Sequence, residues 1–245
     1  MNPLEAGLEA LASGAMDAAS VFARLGAAMF FLPLLGERAI PVRVRLVVAL
    51  LLSACVAPAV ADGLPPRPGP LFLLAETAVG LAFGFALRAV LMALQVAGAV
   101  AAQAVSLSQF LGAPSAEPAP AVGHVLMVAA LALLAAAGAP MAMVEAAVRS
   151  YDVLPPGAPG PVAGLAQWTL AGVADAFALA LRLAAPFAAV GLLYSLALGF
   201  LSRAMPQLMV ALVGAPAIVL AGIALLAATG PTILAVWLRA MGQAL

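Results

Sequence analysis

The sequence predicts an all-α integral membrane protein, and three observations carry that prediction. Of its 245 residues 66% are hydrophobic and only 8% are charged, against about 45–50% apolar and about 25% charged in soluble domains. The mean hydropathy is +1.19, and long stretches carry hardly a charge, as a helix crossing the hydrocarbon core requires with its ~20 mainly apolar residues. No segment alternates with the period of two that a membrane barrel would show. Together these give roughly six apolar helical segments, some of them broken helices or helical hairpins, forming one membrane unit over residues 1–245.

The elements follow from where charge, glycine and proline interrupt the apolar runs. The first segment, about Ala15–Leu35, carries only Asp17 and Arg24 and ends at the polar Gly36-Glu37-Arg38. Pro41 opens the next, where its missing N–H is harmless, and that helix runs to about Val60. Pro65, Pro66, Pro68 and Pro70 forbid helix over 61–70. Leu71–Gln109 exceeds one span, so it reads either as an extended tilted helix or as two helices meeting near Ala97-Gly98. After a break at Gly112–Pro120 comes a span at Val122–Val144, closed by Glu145 and Arg149, an exposed pair four residues apart. A proline-rich loop at 154–161 leads to Val162–Leu201. Ala204–Leu238 is free of charge and too long for one span, and Pro206, Gly214-Ala215-Pro216 and Gly230-Pro231 are expected to divide it. The arginines at 38, 43 and 45 place the first loop in the cytoplasm and the acidic N-terminus outside. That N-terminus lacks the basic start of a cleavable signal, since Glu5, Glu9 and Asp17 precede the first arginine.

Composition also excludes chemistry. Net charge is zero and all ten basic residues are arginine. A neutral chain offers no basic face for nucleic acid. Without lysine there is no phosphate loop and no Schiff base, so any ATP-driven step belongs to a partner. One cysteine, Cys55, permits no internal disulfide and reads as a small buried hydrophobe. One histidine, His124, supports neither a metal cluster nor a nucleophile–base pair, and reads as a polar residue at a helix start. No catalytic residue, cofactor or metal is therefore expected.

Ionisable groups inside apolar segments each cost about 2.5–3.5 kcal/mol on insertion scales and need a reason. Arg24, Glu76, Arg88, Asp175 and Arg182 are the cases here. Pairing between helices or subunits is the simpler reading, and a proton or substrate relay the sharper one. Asp175 and Arg182, seven apart, share one helical face. Gly80 and Gly84, four apart in an apolar helix, suit close helix approach. The Gly-Ala-Pro tripeptides at 112, 138, 157 and 214 read as turns, or else as the broken helices of a transporter.

Four groups of residues, in order along the chain, resemble one family. Arg24 and Pro33 precede Ile40-Pro41-Val42-Arg43-Val44-Arg45-Leu46; Glu76 precedes Gly80 and Gly84-Phe85; Ala97-Gly98 precedes Gln103, Leu107-Ser108 and Ala113-Pro114. The most specific group is Leu198-Gly199, Ser202-Arg203 and Pro206-Gln207, with Gly214 and Pro216 beyond. The ordered set is similar to the FliR family of flagellar export-gate proteins, close relatives of their injectisome counterparts. Val105 stands where that family usually has glycine, Ala113 where it has aspartate and Ser195 where it has asparagine.

The resemblance implies a subunit of a hetero-oligomeric helical assembly with FliP- and FliQ-type proteins and a FlhB-type switch subunit. That assembly forms the entry pore for unfolded flagellar substrates in the bacterial inner membrane, at the flagellar basal body. Gln103, Leu107, Ser108, Gln109, Phe110 and Pro114 would belong to a plug loop of that pore. Arg24, Pro41, Arg43, Glu76, Gly80, Gly84, Arg203, Pro206 and Gln207 would serve subunit assembly. Rival readings are a small secondary transporter of ions or metabolites, favoured by broken helices and buried charges, and a membrane-embedded enzyme, for which no catalytic set is spaced.

Overall fold

The computed structural model describes residues 3–37, 39–65, 67–106, 121–156, 162–204 and 210–245, and among them there is no strand. The helices are α1 (Pro3–Phe31), α2 (Val42–Val60), α3 (Pro70–Ser106), α4 (Ala121–Ala136), α5 (Ala139–Val153), α6 (Val162–Ala204) and α7 (Val210–Ala244). Four are long and apolar enough to cross a membrane, within α2, α3, α6 and α7, and α4 with α5 adds a fifth if that bent pair is one span. Asp17 and Arg24 lower the apolarity of α1, which is not among them.

Of the two readings of the third segment, the extended helix holds, because α3 runs unbroken for 37 residues through Ala97-Gly98. Two other segment expectations are corrected. Gly214-Ala215-Pro216 and Gly230-Pro231 do not divide the last segment, since both lie inside α7. A proline within a helix removes one backbone hydrogen bond, and a long helix continues across that loss. Conversely, the span read at 122–144 is bent by 73° where α4 meets α5. Gly138 sits there at φ +71, a left-handed conformation that glycine adopts without strain, and Pro140 begins the new helix.

Contacts within the chain gather into two compact units. One comprises residues 1–89, 134–173 and 244–245; the other comprises 90–133 and 174–243. In the first, Val21 and Leu25 of α1, Val56 and Ala57 of α2, Leu64, and Ala147 and Tyr151 of α5 form a buried cluster. The chain leaves α1 through a tight turn in which Gly36 N–H donates to Leu32 O at 2.6 Å. A Cβ on Gly36 would lie 2.7 Å from that same oxygen, so only glycine closes the turn. Arg45 then holds the loop, donating to Leu35 O and Glu37 O at 3.0 Å each, and Arg88 forms an ion pair with Glu37.

In the second unit α3 is the hub. A Cβ on Gly98 would lie 2.1 Å from the Gly123 Cα of α4, and one on Gly191 of α6 would lie 2.8 Å from Ala104. The helices therefore meet backbone to backbone at small residues, as membrane helices do without a hydrophobic drive between them. Trp237 of α7 is fully buried and its indole N–H donates to Val90 O at 2.8 Å. Cys55, read as buried, is instead exposed on α2, a helix that places only 17% of its span inside the chain.

Candidate functional site

Arg24 organises the polar centre of the first unit. It lies about two turns before the end of α1 and is 2% exposed. Its Nε donates to Glu76 Oε2 at 2.7 Å and its Nη2 to Glu76 Oε1 at 3.0 Å, the two-pronged fit of guanidinium to carboxylate. Nη1 and Nη2 both reach Leu154 O at 3.0 Å, and Nη1 also reaches Ser150 O at 3.2 Å. Those carbonyls lie at the end of α5, where the last carbonyls lack intrahelical donors, and Ser150 O accepts from Leu154 N–H at 2.9 Å as well. Arg24 thus caps α5 while neutralising Glu76 of α3. The guanidinium also lies 4.0 Å from the ring centroid of Tyr151, which is itself buried.

Two glycines make this geometry possible. Gly80 and Gly84 follow Glu76 at intervals of four, on the same face of α3. A Cβ on Gly80 would lie 2.0 Å from Arg24 O, and one on Gly84 would lie 2.4 Å from Ala28 O. With no side chain there, the α3 backbone rests on α1 and Glu76 arrives beside Arg24.

Four residues singled out from the sequence, Arg24, Glu76, Gly80 and Gly84, therefore converge on one seam between α1 and α3. Of the others, those among the described residues do not join it. Pro41 and Arg43 are exposed at the start of α2. Arg203 is exposed in the last turn of α6, where a cation complements the helix dipole. Gln103 is exposed near the end of α3. Leu107, Ser108, Gln109, Phe110, Pro114, Pro206 and Gln207 lie outside the described residues. Of the five intramembrane charges, Arg24 pairs with Glu76 and Arg88 with Glu37, whereas Asp175 and Arg182 make no ion pair among the described residues. The Glu145–Arg149 pair forms on the surface at 2.6 Å.

Sequence reasoning missed Tyr151, Ser150 and the α5 carbonyls as partners of Arg24. Tyr151, one of two tyrosines in the chain, was the available signal, because an aromatic ring is a natural neighbour for a buried guanidinium. It also missed Trp237, whose N–H needs a partner once buried.

Among the described residues no group of His, Cys, Asp or Glu side chains is placed to hold a metal ion. An open groove of about 550 Å³ runs between α4 and α7 in the second unit. Leu126, Leu133, Leu226, Pro231 and Leu234 are among the residues that line it, and among the described residues no charged one does.

Comparison with known proteins agrees with this architecture. Residues 16–244 match the family model described as bacterial export proteins, family 1. The chain is 34% identical over 227 residues to the flagellar biosynthetic protein FliR of Caulobacter vibrioides, an alignment that covers 90% of each chain. It is 29% identical over 211 residues to the flagellar biosynthetic protein FliR of Escherichia coli, covering 82% of this chain and 79% of that one. A family model spanning nearly the whole chain, two relatives aligned over most of their length and long apolar helices point the same way: the chain belongs to the FliR family of bacterial export proteins.

Proposed function

We propose that this chain is the membrane subunit of a flagellar type III protein-export gate, which forms the entry pore for unfolded flagellar proteins with FliP- and FliQ-type subunits. In this reading the whole chain is one gate domain in the bacterial inner membrane, within the flagellar basal body, and a FlhB-type switch subunit contacts it. Family membership supplies the flagellar export setting. One structural observation carries the rest: the helices keep too little of their apolar surface inside the chain. The spans in α2, α6 and α7 are buried over only 17%, 33% and 22% of their length. The α6 helix, with 43 residues, is ~65 Å long at 1.5 Å per residue, about twice the hydrocarbon core. Surface of that extent and length suits packing against other subunits better than lipid alone.

The transporter reading loses part of its support. Arg24 and Glu76 satisfy one another and an adjoining helix end, so they form a structural clamp rather than a relay. Both α3 and α7 are continuous helices, and the groove between α4 and α7 lacks the few convergent polar groups that fix a small solute.

Deleting the gene in the bacterium that makes this chain should abolish secretion of hook and filament proteins, and a plasmid copy should restore it. Normal secretion in the deletion strain would refute the proposal.

A further inference from the structure

Asp175 and Arg182 of α6 stand apart from the other intramembrane charges. Both are exposed, and neither has a hydrogen-bond or ion-pair partner among the described residues. Seven residues place them ~10 Å apart along the axis and about 20° apart around it, on one face and too distant to neutralise each other. Leu193 and Phe200, each eighteen residues beyond one of the charges, continue that face and are 66% and 73% exposed. Between Arg182 and Leu193, Ala185 and Ala189 are exposed and small enough to admit a neighbouring backbone.

Neither solvent suits this face. In lipid each ionised group would cost about 2.5–3.5 kcal/mol near a helix centre. In water the large apolar side chains would remain uncovered. A protein surface with opposite charges satisfies both demands. A second copy of this chain does not, because copies inserted in the same orientation pack parallel and would set Asp175 against Asp175 and Arg182 against Arg182. We infer that this face of α6 seats a helix of a different subunit, which presents a basic side chain to Asp175 and an acidic one about 10 Å along to Arg182. The inference rests on the gate reading and specifies the chemistry of one contact within it.

The test uses the full chain co-expressed with its FliP- and FliQ-type partners in native membranes. A photo-crosslinking benzoyl-phenylalanine placed at Leu193 should yield an adduct with one of those partners. D175N and R182Q should each lower recovery of the complex at least about tenfold, as expected when one charge of a buried pair is left alone. The exchange D175R/R182D keeps the net charge yet sets like against like, and it should fail equally. Wild-type recovery of all three variants, an adduct between two copies of this chain, or an adduct with lipid alone would overturn the inference while leaving the gate reading intact. A wild-type chain that recovers neither partner would instead overturn the gate reading, and the inference with it.

Discussion

Arg24 and Glu76, 52 positions apart in sequence, meet through two hydrogen bonds of 2.7 and 3.0 Å at side chains that are 3% and 2% exposed. A buried pair of this kind stabilises the fold mainly through what happens when it is broken. Removing one partner leaves an uncompensated charge and costs about 3–5 kcal/mol, whereas replacing both with apolar residues is often neutral. Glu76→Met and Arg24→Met should therefore each lower the thermal unfolding midpoint of the purified chain in detergent. The double variant R24M/E76M should recover part of that loss. A double variant as unstable as the sum of the singles would show that the two groups act independently.

Gly80 and Gly84 should tolerate no Cβ. Gly80→Ala would place a carbon 2.0 Å from Arg24 O, forcing α1 and α3 apart and pulling Glu76 away from Arg24. Gly14→Ala is the control, because nothing lies within 4 Å of that Cβ position, and alanine in a helix is favoured over glycine by roughly 0.5–1 kcal/mol. Thermal unfolding of the two variants should thus move in opposite directions. Equal midpoints would refute the close-approach role of Gly80.

Trp237→Phe removes the donor to Val90 O while keeping an aromatic ring. The expected loss is about 1 kcal/mol, and about 3–5 kcal/mol for Trp237→Ala, which also opens a cavity. Unfolding of the purified chain measures both. An unchanged midpoint in the phenylalanine variant would mean the hydrogen bond contributes nothing net.

Within the gate reading, we propose that the segment from Gln103 to Pro118, helical as far as Ser106, helps to seal the closed pore. Its small, hydroxyl and apolar residues can bend while staying buried in protein, the condition for irregular backbone at membrane depth. Shortening it should raise ion leakage through reconstituted complexes without abolishing assembly. Unchanged conductance would count against a plug.

Much of the fold was legible because membrane insertion writes a strong signal. Charge-free length located the helices, and the cost of lone charges marked Arg24, Glu76 and Arg88 as needing partners, which the structure supplies. The spacing of Gly80 and Gly84 likewise marked a close approach. What failed was punctuation. Pro216 and Pro231 sit inside α7, because losing one backbone hydrogen bond does not by itself end a long helix. Gly138 does end one, because its neighbours continue the chain in a new direction. Those outcomes depend on packing, which is not local. The partners of Arg24 on α5 lie 126 and 130 positions away, and no spacing rule reaches that far.

The central claim is that this chain works as one subunit of a larger gate, and co-purification tests it most directly. With a tag on this chain and its FliP- and FliQ-type partners co-expressed, mild detergent should release one large, stable complex. Arg203→Ala or a change at Pro206 should diminish it. A monodisperse chain that ignores those partners and binds a small solute would contradict the account and restore the transporter reading.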